Sequence, residues 1–243
     1  MFESQLLCVL GIIFFGTLFG STFGFGLGLV SMPLLALIVD MKTATPLLAL
    51  VLLLMALMIF IGNRKEVNFR SMWKLLLGSL IGIPIGVYFL KGTEDSIMKI
   101  MLAGMIILFA LYSLFTRVDY YMKAEWPSYI MGILAGGFGA AYNMGGPPVI
   151  IYGTLKKWPP STFRSTLYSF FLPTSILAIL SHFMAGLVSK TVISYFLLSI
   201  PIVVFSTIVG GKLNRKISAE KFHSLIHICL LFIGCFLLYR EFS

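Results

Sequence analysis

Two short stretches of the chain hold the residues with chemistry to offer. One is Gly24-Phe-Gly-Leu-Gly28, followed by Pro33; the other is Asn143-Met-Gly-Gly-Pro-Pro148. Glycines let a ligand approach the main chain closely, and prolines in the first turn of a helix sacrifice no hydrogen bond. A helix that starts just after such a break aims its free N–H groups, with about +0.5 of dipolar charge, at its own N-terminus. Two such termini facing each other would neutralise roughly one negative charge. Asn143 adds an amide, with backbone N–H groups near Gly145 and Gly146, and Ser21 and Thr22 add hydroxyls from the other stretch. The chemistry these residues suit is reversible capture of an anion, with no covalent step.

Other candidate groups are weaker. His223 and His227 have the i,i+4 spacing that can grip a metal, but no acid completes the set and Cys229 is out of register. No metal is expected. His182, near one end of its apolar run, titrates near neutral pH and is a candidate for proton coupling. Gly210-Gly-Lys212 lacks phosphate-loop spacing, and the first glycine stretch follows no strand. No Gly-x-Ser-x-Gly nucleophile setting occurs. Neither an enzyme nor a cofactor is expected. All nine acids (Glu3, Asp40, Glu66, Glu94, Asp95, Asp119, Glu125, Glu220, Glu241) sit in loops or at segment ends. A cation site or proton relay within a membrane would want a carboxylate there, so the site is better suited to an anion.

The elements that must hold these residues are membrane helices. The 243 residues are 59% hydrophobic and 11% charged, with mean hydropathy +1.00; soluble domains are nearer half apolar and a quarter charged. A soluble enzyme, a nucleic-acid module and a disordered chain are excluded. The net charge of +9 then reflects Lys and Arg retained in cytoplasmic loops, not a nucleic-acid partner. Cys8, Cys229 and Cys235 all lie in apolar runs and read as small buried hydrophobes. Met1 to Gln5 carry no Lys or Arg, so a cleaved signal peptide is not expected.

Apolar runs fall at about 5–39, 43–62, 71–90, 96–116, 127–155, 164–185, 190–211 and 222–240. A crossing needs about 20 residues, so six runs are single helices. The first and fifth are too long and contain the glycine and proline breaks. If each long run crosses once, the 18 basic residues divide 8 to 10 between the faces, which is no bias. If each is a broken pair, one face collects Arg64, Lys65, Arg70, Lys74, Arg117, Lys123, Lys156, Lys157, Arg164, Lys212, Arg215, Lys216 and Lys221. The other keeps Lys42, Lys91, Lys99, Lys190 and Arg240, a division of 13 to 5. The paired reading is preferred, with the rich face cytoplasmic and both termini outside a plasma or inner membrane. Whether the short pieces cross fully or re-enter stays open.

The chain also repeats itself. Gly16-Thr-Leu-Phe-Gly20 matches Gly132-Ile-Leu-Ala-Gly136 at an offset of 116, and Pro33 matches Pro148 at 115. Residues 1–116 form a first half, 117–126 a linker and 127–243 a second half. Each half has five segments, an odd number, so the second is inverted, as in many secondary transporters. Gly78, Gly82 and Gly86 form a small-residue face suited to helix packing, including a homodimer contact. Lys156, Lys157 and Trp158 read as interfacial anchors. Arg164 is either another anchor or a residue at the cavity mouth.

Gly20-Ser-Thr-Phe-Gly-Phe-Gly-Leu-Gly-Leu-Val-Ser-Met-Pro-Leu-Leu35 resembles the first glycine-rich motif of the TauE/SafE (sulfite exporter) permeases. Gly136-Gly-Phe-Gly-Ala-Ala-Tyr-Asn-Met-Gly-Gly-Pro-Pro-Val-Ile-Ile-Tyr152, followed by Phe163-Arg-Ser-Thr166, resembles the second. Phe25, Leu27 and Leu29 make the first motif more apolar than the family pattern. The resemblance implies an all-α membrane transporter for a small sulfur-containing anion: sulfite, thiosulfate or an organosulfonate. It implies substrate positions at the Asn143 to Pro148 break (with Gly145, Gly146 and Pro147), at Arg164, and at Gly24, Gly26, Gly28 and Pro33 with Thr45. An inside-negative potential favours anion exit, so export by alternating access is the expected mode. The alternatives are a permease or channel for another anion such as a carboxylate, and a non-transporting membrane subunit or enzyme.

Overall fold

A computed structural model describes residues 2–62, 69–115, 121–214 and 219–242. The side chains at 2, 3, 62, 70, 160, 161, 164 and 219–229 lie outside that description. The described residues form α1 (Phe2–Phe23), α2 (Leu27–Ala36), α3 (Met41–Gly62), α4 (Phe69–Gly92), α5 (Asp95–Phe115), α6 (Pro127–Tyr142), α7 (Gly146–Leu155), α8 (Pro160–Met184), α9 (Lys190–Asn214) and α10 (Ala219–Phe242). No strand occurs among them. Six of these helices, α1, α3, α4, α5, α8 and α9, are long and apolar enough to cross a membrane.

Both long apolar runs are broken pairs. At 1.5 Å per residue α2 and α7, of 10 residues each, rise about 15 Å, half of a roughly 30 Å hydrocarbon core. Each folds back along its longer partner. In the first pair Gly16 and Gly20 pack against Ser31 and Leu27, and the Gln5 amide donates to the Ile38 carbonyl at 3.0 Å. In the second, Gly145 lies against Ala135 and Gly139, and the Met122 N–H donates to the Leu155 carbonyl at 2.9 Å. Each short helix therefore returns toward the end where its partner began.

The ion pairs among the described residues collect at two ends. Near the start of α4, Lys74 and Lys156 pair with Glu125, and the Lys156 ammonium sits 5.8 Å from the centre of the Tyr152 ring. Beyond the far end of α4, Asp95 pairs with Lys99 at 2.7 Å and accepts from the Met41 N–H at 2.7 Å. There Arg240 also donates to the Leu37 carbonyl and Ser96 to Glu241, both at 2.7 Å. The open end of the first hairpin thus lies at the Asp95 end, and that of the second at the Lys74 end. Lys74, Lys123 and Lys156 share one end, as the paired reading requires.

The largest helix contacts join the first five helices to the second five, and they come in matching pairs. α4 packs on α6 as α9 packs on α1; α3 meets α9 as α8 meets α4; α3 meets α8, and α5 meets α10. The α4–α6 seam is a backbone contact. A Cβ on Gly78, Gly82 or Gly86 would stand 2.0–2.2 Å from carbonyl oxygens of α6, and one on Gly132 would stand 2.1 Å from the Leu75 carbonyl. The helix packing expected of that glycine face is met within the chain and not at a dimer contact. α6 of the same chain occupies the face, because small residues let two helices approach where dispersion must supply the attraction.

Apolar residues outside the core face outward: Leu80, Ile81, Ile85 and Tyr88 on α4, Phe205 and Ile208 on α9, and Phe232 and Phe236 on α10. Cys8 and Cys235 are likewise exposed, contrary to the buried role expected of them. In a bilayer an apolar side chain is satisfied facing lipid, so apolarity does not fix burial. Cys229, His223 and His227 fall outside the described side chains.

Candidate substrate site

The two breaks meet. Gly24 and Gly26 take φ of 90° and 105°, values glycine adopts without the steric cost of a Cβ. They turn the chain out of α1 and into α2. Asn143, at φ 53°, ends α6 in the left-handed region that Asn tolerates better than most residues. Gly28 stands directly on this turn: a Cβ there would lie 1.9 Å from the Asn143 carbonyl oxygen.

Two hydrogen bonds brace the second break against α3. The Asn143 amide donates to the Thr45 carbonyl at 2.7 Å, and the Thr45 hydroxyl donates to the Ala141 carbonyl at 3.1 Å. An amide NH2 carries two hydrogens, so Asn143 keeps one donor beyond this brace. On the α8 side, the Tyr168 hydroxyl donates to the Gly20 carbonyl at 2.8 Å, just ahead of the first break.

Two cavities flank the meeting point. The first is lined by α3, α4, α6 and α8 residues and the α6–α7 turn, among them Gly136, Gly139, Asn143, Gly145, Phe171, Thr174 and Ser175. The second is lined by Phe25 to Leu29, Met55, Asn143, Met144, Gly146, Pro147, Tyr168 and Phe171, with Leu52. The first turns of both α2 and α7 therefore face one space. The dipoles of both termini act there, together worth about one positive charge. Pro147 and Pro148 have no N–H, so the free donors at the start of α7 are those of Gly145 and Gly146. No group of three or more metal-ligating side chains occurs among the described residues.

Of the residues singled out in the sequence, Gly26, Gly28, Asn143, Gly145, Gly146 and Pro147 line these cavities. Gly24, Pro33, Thr45 and Pro148 are buried beside them and line neither. Ser21 and Thr22 stand elsewhere. The Ser21 hydroxyl donates to Thr17 at 2.7 Å and reaches the Ser206 carbonyl of α9 at 3.3 Å. Thr22 donates to Leu18 at 2.7 Å and accepts, through its carbonyl, from Asn214. Both hold α1 to itself and to α9. Arg164 lies in the first turns of α8, its side chain outside the description.

Sequence reasoning missed the α3 and α8 walls. Leu52, Met55 and Phe171 are apolar residues within apolar helices and carry no signal. Thr174 and Ser175 did carry one: hydroxyls beside Pro173 in a membrane span. The Ser175 hydroxyl is buried in the first cavity's wall without a hydrogen-bond partner from the protein. His182 lies further along the same face of α8, its Nε2 2.8 Å from the Ala140 carbonyl and its Nδ1 buried without a partner.

Hairpin-folded broken helices joined at a buried cavity, inside a shell of lipid-facing apolar helices, define a polytopic membrane protein with the irregular backbone that transporters place at their binding sites. The family model for the sulfite exporter TauE/SafE matches residues 9–237, and the chain belongs to that family of membrane transporters. It is 21% identical over 234 residues to a probable sulfite/organosulfonate exporter TauE of Cupriavidus necator, covering 94% of this chain and 91% of that one. No solved structure matches the chain.

Proposed function

We propose that the protein exports a small sulfur-containing anion (sulfite, thiosulfate or an organosulfonate) by alternating access. The observation that carries this reading is the shared cavity lined by the first turns of α2 and α7. There the N–H groups around Gly145 and Gly146 and the remaining Asn143 hydrogen bind the anion. Gly26 and Gly28 admit it close to the main chain, and Thr45 braces the break. Arg164 gathers anions at the cavity mouth.

The two halves, 1–116 and 127–243, act as inverted repeats. The matching helix pairings and the opposite open ends of the two hairpins support this. With the Lys74 end in the cytoplasm, both termini lie outside the plasma membrane. An inside-negative potential then drives anion exit. The name of the Cupriavidus relative supports the sulfur class.

The test is tracer thiosulfate flux in proteoliposomes against a competitor panel. Sulfite and a taurine-type sulfonate should compete, and acetate and chloride should not. Flux that no sulfur anion reduces would overturn the substrate reading.

A further inference from the structure

Leu52, Asn143 and Phe171 line both cavities. On α3, Ala49 belongs to the first cavity only and Met55 to the second only; on α8, Ser175 belongs to the first and Tyr168 to the second. Nearly two helical turns separate these positions on each helix, with Leu52 and Phe171 between them. α3 starts at the Asp95 end, where its Met41 N–H meets Asp95, and α8 starts just after Lys156. Both helices therefore place the first cavity toward the Asp95 end and the second toward the Lys156 end.

We infer that the two cavities are halves of one path across the membrane, closed by a single layer in which the Leu52 and Phe171 side chains pack around Asn143. The Phe171 ring is 8% exposed. Tyr168 meets it edge-on, with centroids 6.2 Å apart and planes at 81°, and its tip would lie 3.7 Å from a Cβ on Gly146. The ring thus extends from α8 to the first residue of α7. Beyond this layer the first cavity mixes small and polar residues (Gly139, Ser175) with Ile83 and Phe170, and the second mixes glycine backbone (Gly26, Gly28) with Leu29 and Met55; only Leu52, Asn143 and Phe171 belong to both. Leu52 and Phe171 hold the barrier, and their bulk sets the size of solute that passes. The inference deepens the transport reading and rests on it only for the identity of that solute.

The test uses full-length protein with Cys8, Cys229 and Cys235 replaced by Ala, carrying either Ser175→Cys or Met55→Cys, in sealed proteoliposomes of known orientation. A membrane-impermeant thiol reagent is added from one face at a time. The Ser175→Cys thiol should react only from the Asp95 face and the Met55→Cys thiol only from the Lys156 face. Adding Phe171→Ala should raise the reaction of Ser175→Cys from the Lys156 face at least about ten-fold, and Leu52→Ala should do so to a smaller degree. Phe171→Leu, which keeps an apolar side chain, guards against misfolding and should give an intermediate rate. Equal labelling of Ser175→Cys from both faces without the truncations would overturn the inference. So would unchanged sidedness in all three truncated variants that retain the parent melting profile. Thiosulfate flux is measured on the same vesicles: its absence alongside the expected sidedness would remove the substrate reading and leave the barrier standing.

Discussion

Gly28→Ala adds one methyl where the two breaks touch. The new Cβ would start 1.9 Å from the Asn143 carbonyl oxygen and 2.7 Å from its carbonyl carbon, against an ordinary contact of 3.4 Å or more. The obstacle is main chain, so no side-chain rotation relieves it. Either α2 or the α6–α7 turn must move by about 1.5 Å, the gap between those two distances. Overpacking of this kind costs about 1–3 kcal/mol. A shift of that size also carries N–H donors beyond the 2.7–3.2 Å range in which they hold an acceptor. Transport should fall by about ten-fold or more, with a melting temperature lowered by several degrees but a protein that still reaches the membrane. Counterflow in proteoliposomes, with a thermal melt of the same preparation, measures both. Gly11→Ala is the control: nothing lies within 4 Å of its added Cβ, and both readouts should match wild type. Gly28→Ala with wild-type flux and an unchanged melt would refute the claim that the breaks are in backbone contact.

Three further outcomes follow from the same geometry. Asn143→Gly keeps the left-handed backbone but loses the bond to the Thr45 carbonyl, whereas Asn143→Ala loses that bond and strains the turn. Both should lose transport, with Asn143→Ala melting lower by about 1 kcal/mol or more, as a denaturation series would show. Gly82→Val should abolish accumulation in the membrane, measured by immunoblot, because its Cβ would meet the Ile133 carbonyl at 2.0 Å along the whole α4–α6 seam. Glu125→Gln should cost no more than about 1 kcal/mol and leave flux within two-fold, since the Glu125 carboxylate and its close partner Lys74 are partly solvent-exposed at the helix ends, Lys156 stands off at 4.0 Å, and exposed pairs are weak.

The breaks were legible because Gly and Pro interrupt apolar runs for a physical reason: backbone released from a helix must find partners inside the protein. Gly26, Gly28, Asn143 and Gly146 could therefore be singled out from the sequence, and they line the cavities where the two breaks meet. Hairpin folding was legible through charge, since Lys156 had to share a face with Lys74. The faces of helices were not. Ser21 and Thr22 adjoin the first break in sequence, yet the rotation of α1 turns them to α9, and their hydroxyls are satisfied by carbonyls one turn back. Gly78, Gly82 and Gly86 announced close packing but not the partner, although Gly132 and Gly136 offered a matching face on α6. Phe171 and Leu52 were invisible because lipid, core and cavity wall all accept the same apolar side chains.

The central claim, that the tips of α2 and α7 form one anion-binding space, is tested most directly by substrate protection at Gly146. Gly146→Cys is sterically tolerated, its Cβ meeting only the Phe171 ring tip at 3.7 Å and Ile150 at 3.9 Å. In the cysteine-free background its alkylation rate should fall several-fold with saturating methanesulfonate, less with acetate, and not at all with methylammonium. Equal rates with and without every anion, in protein that still transports thiosulfate, would contradict the account.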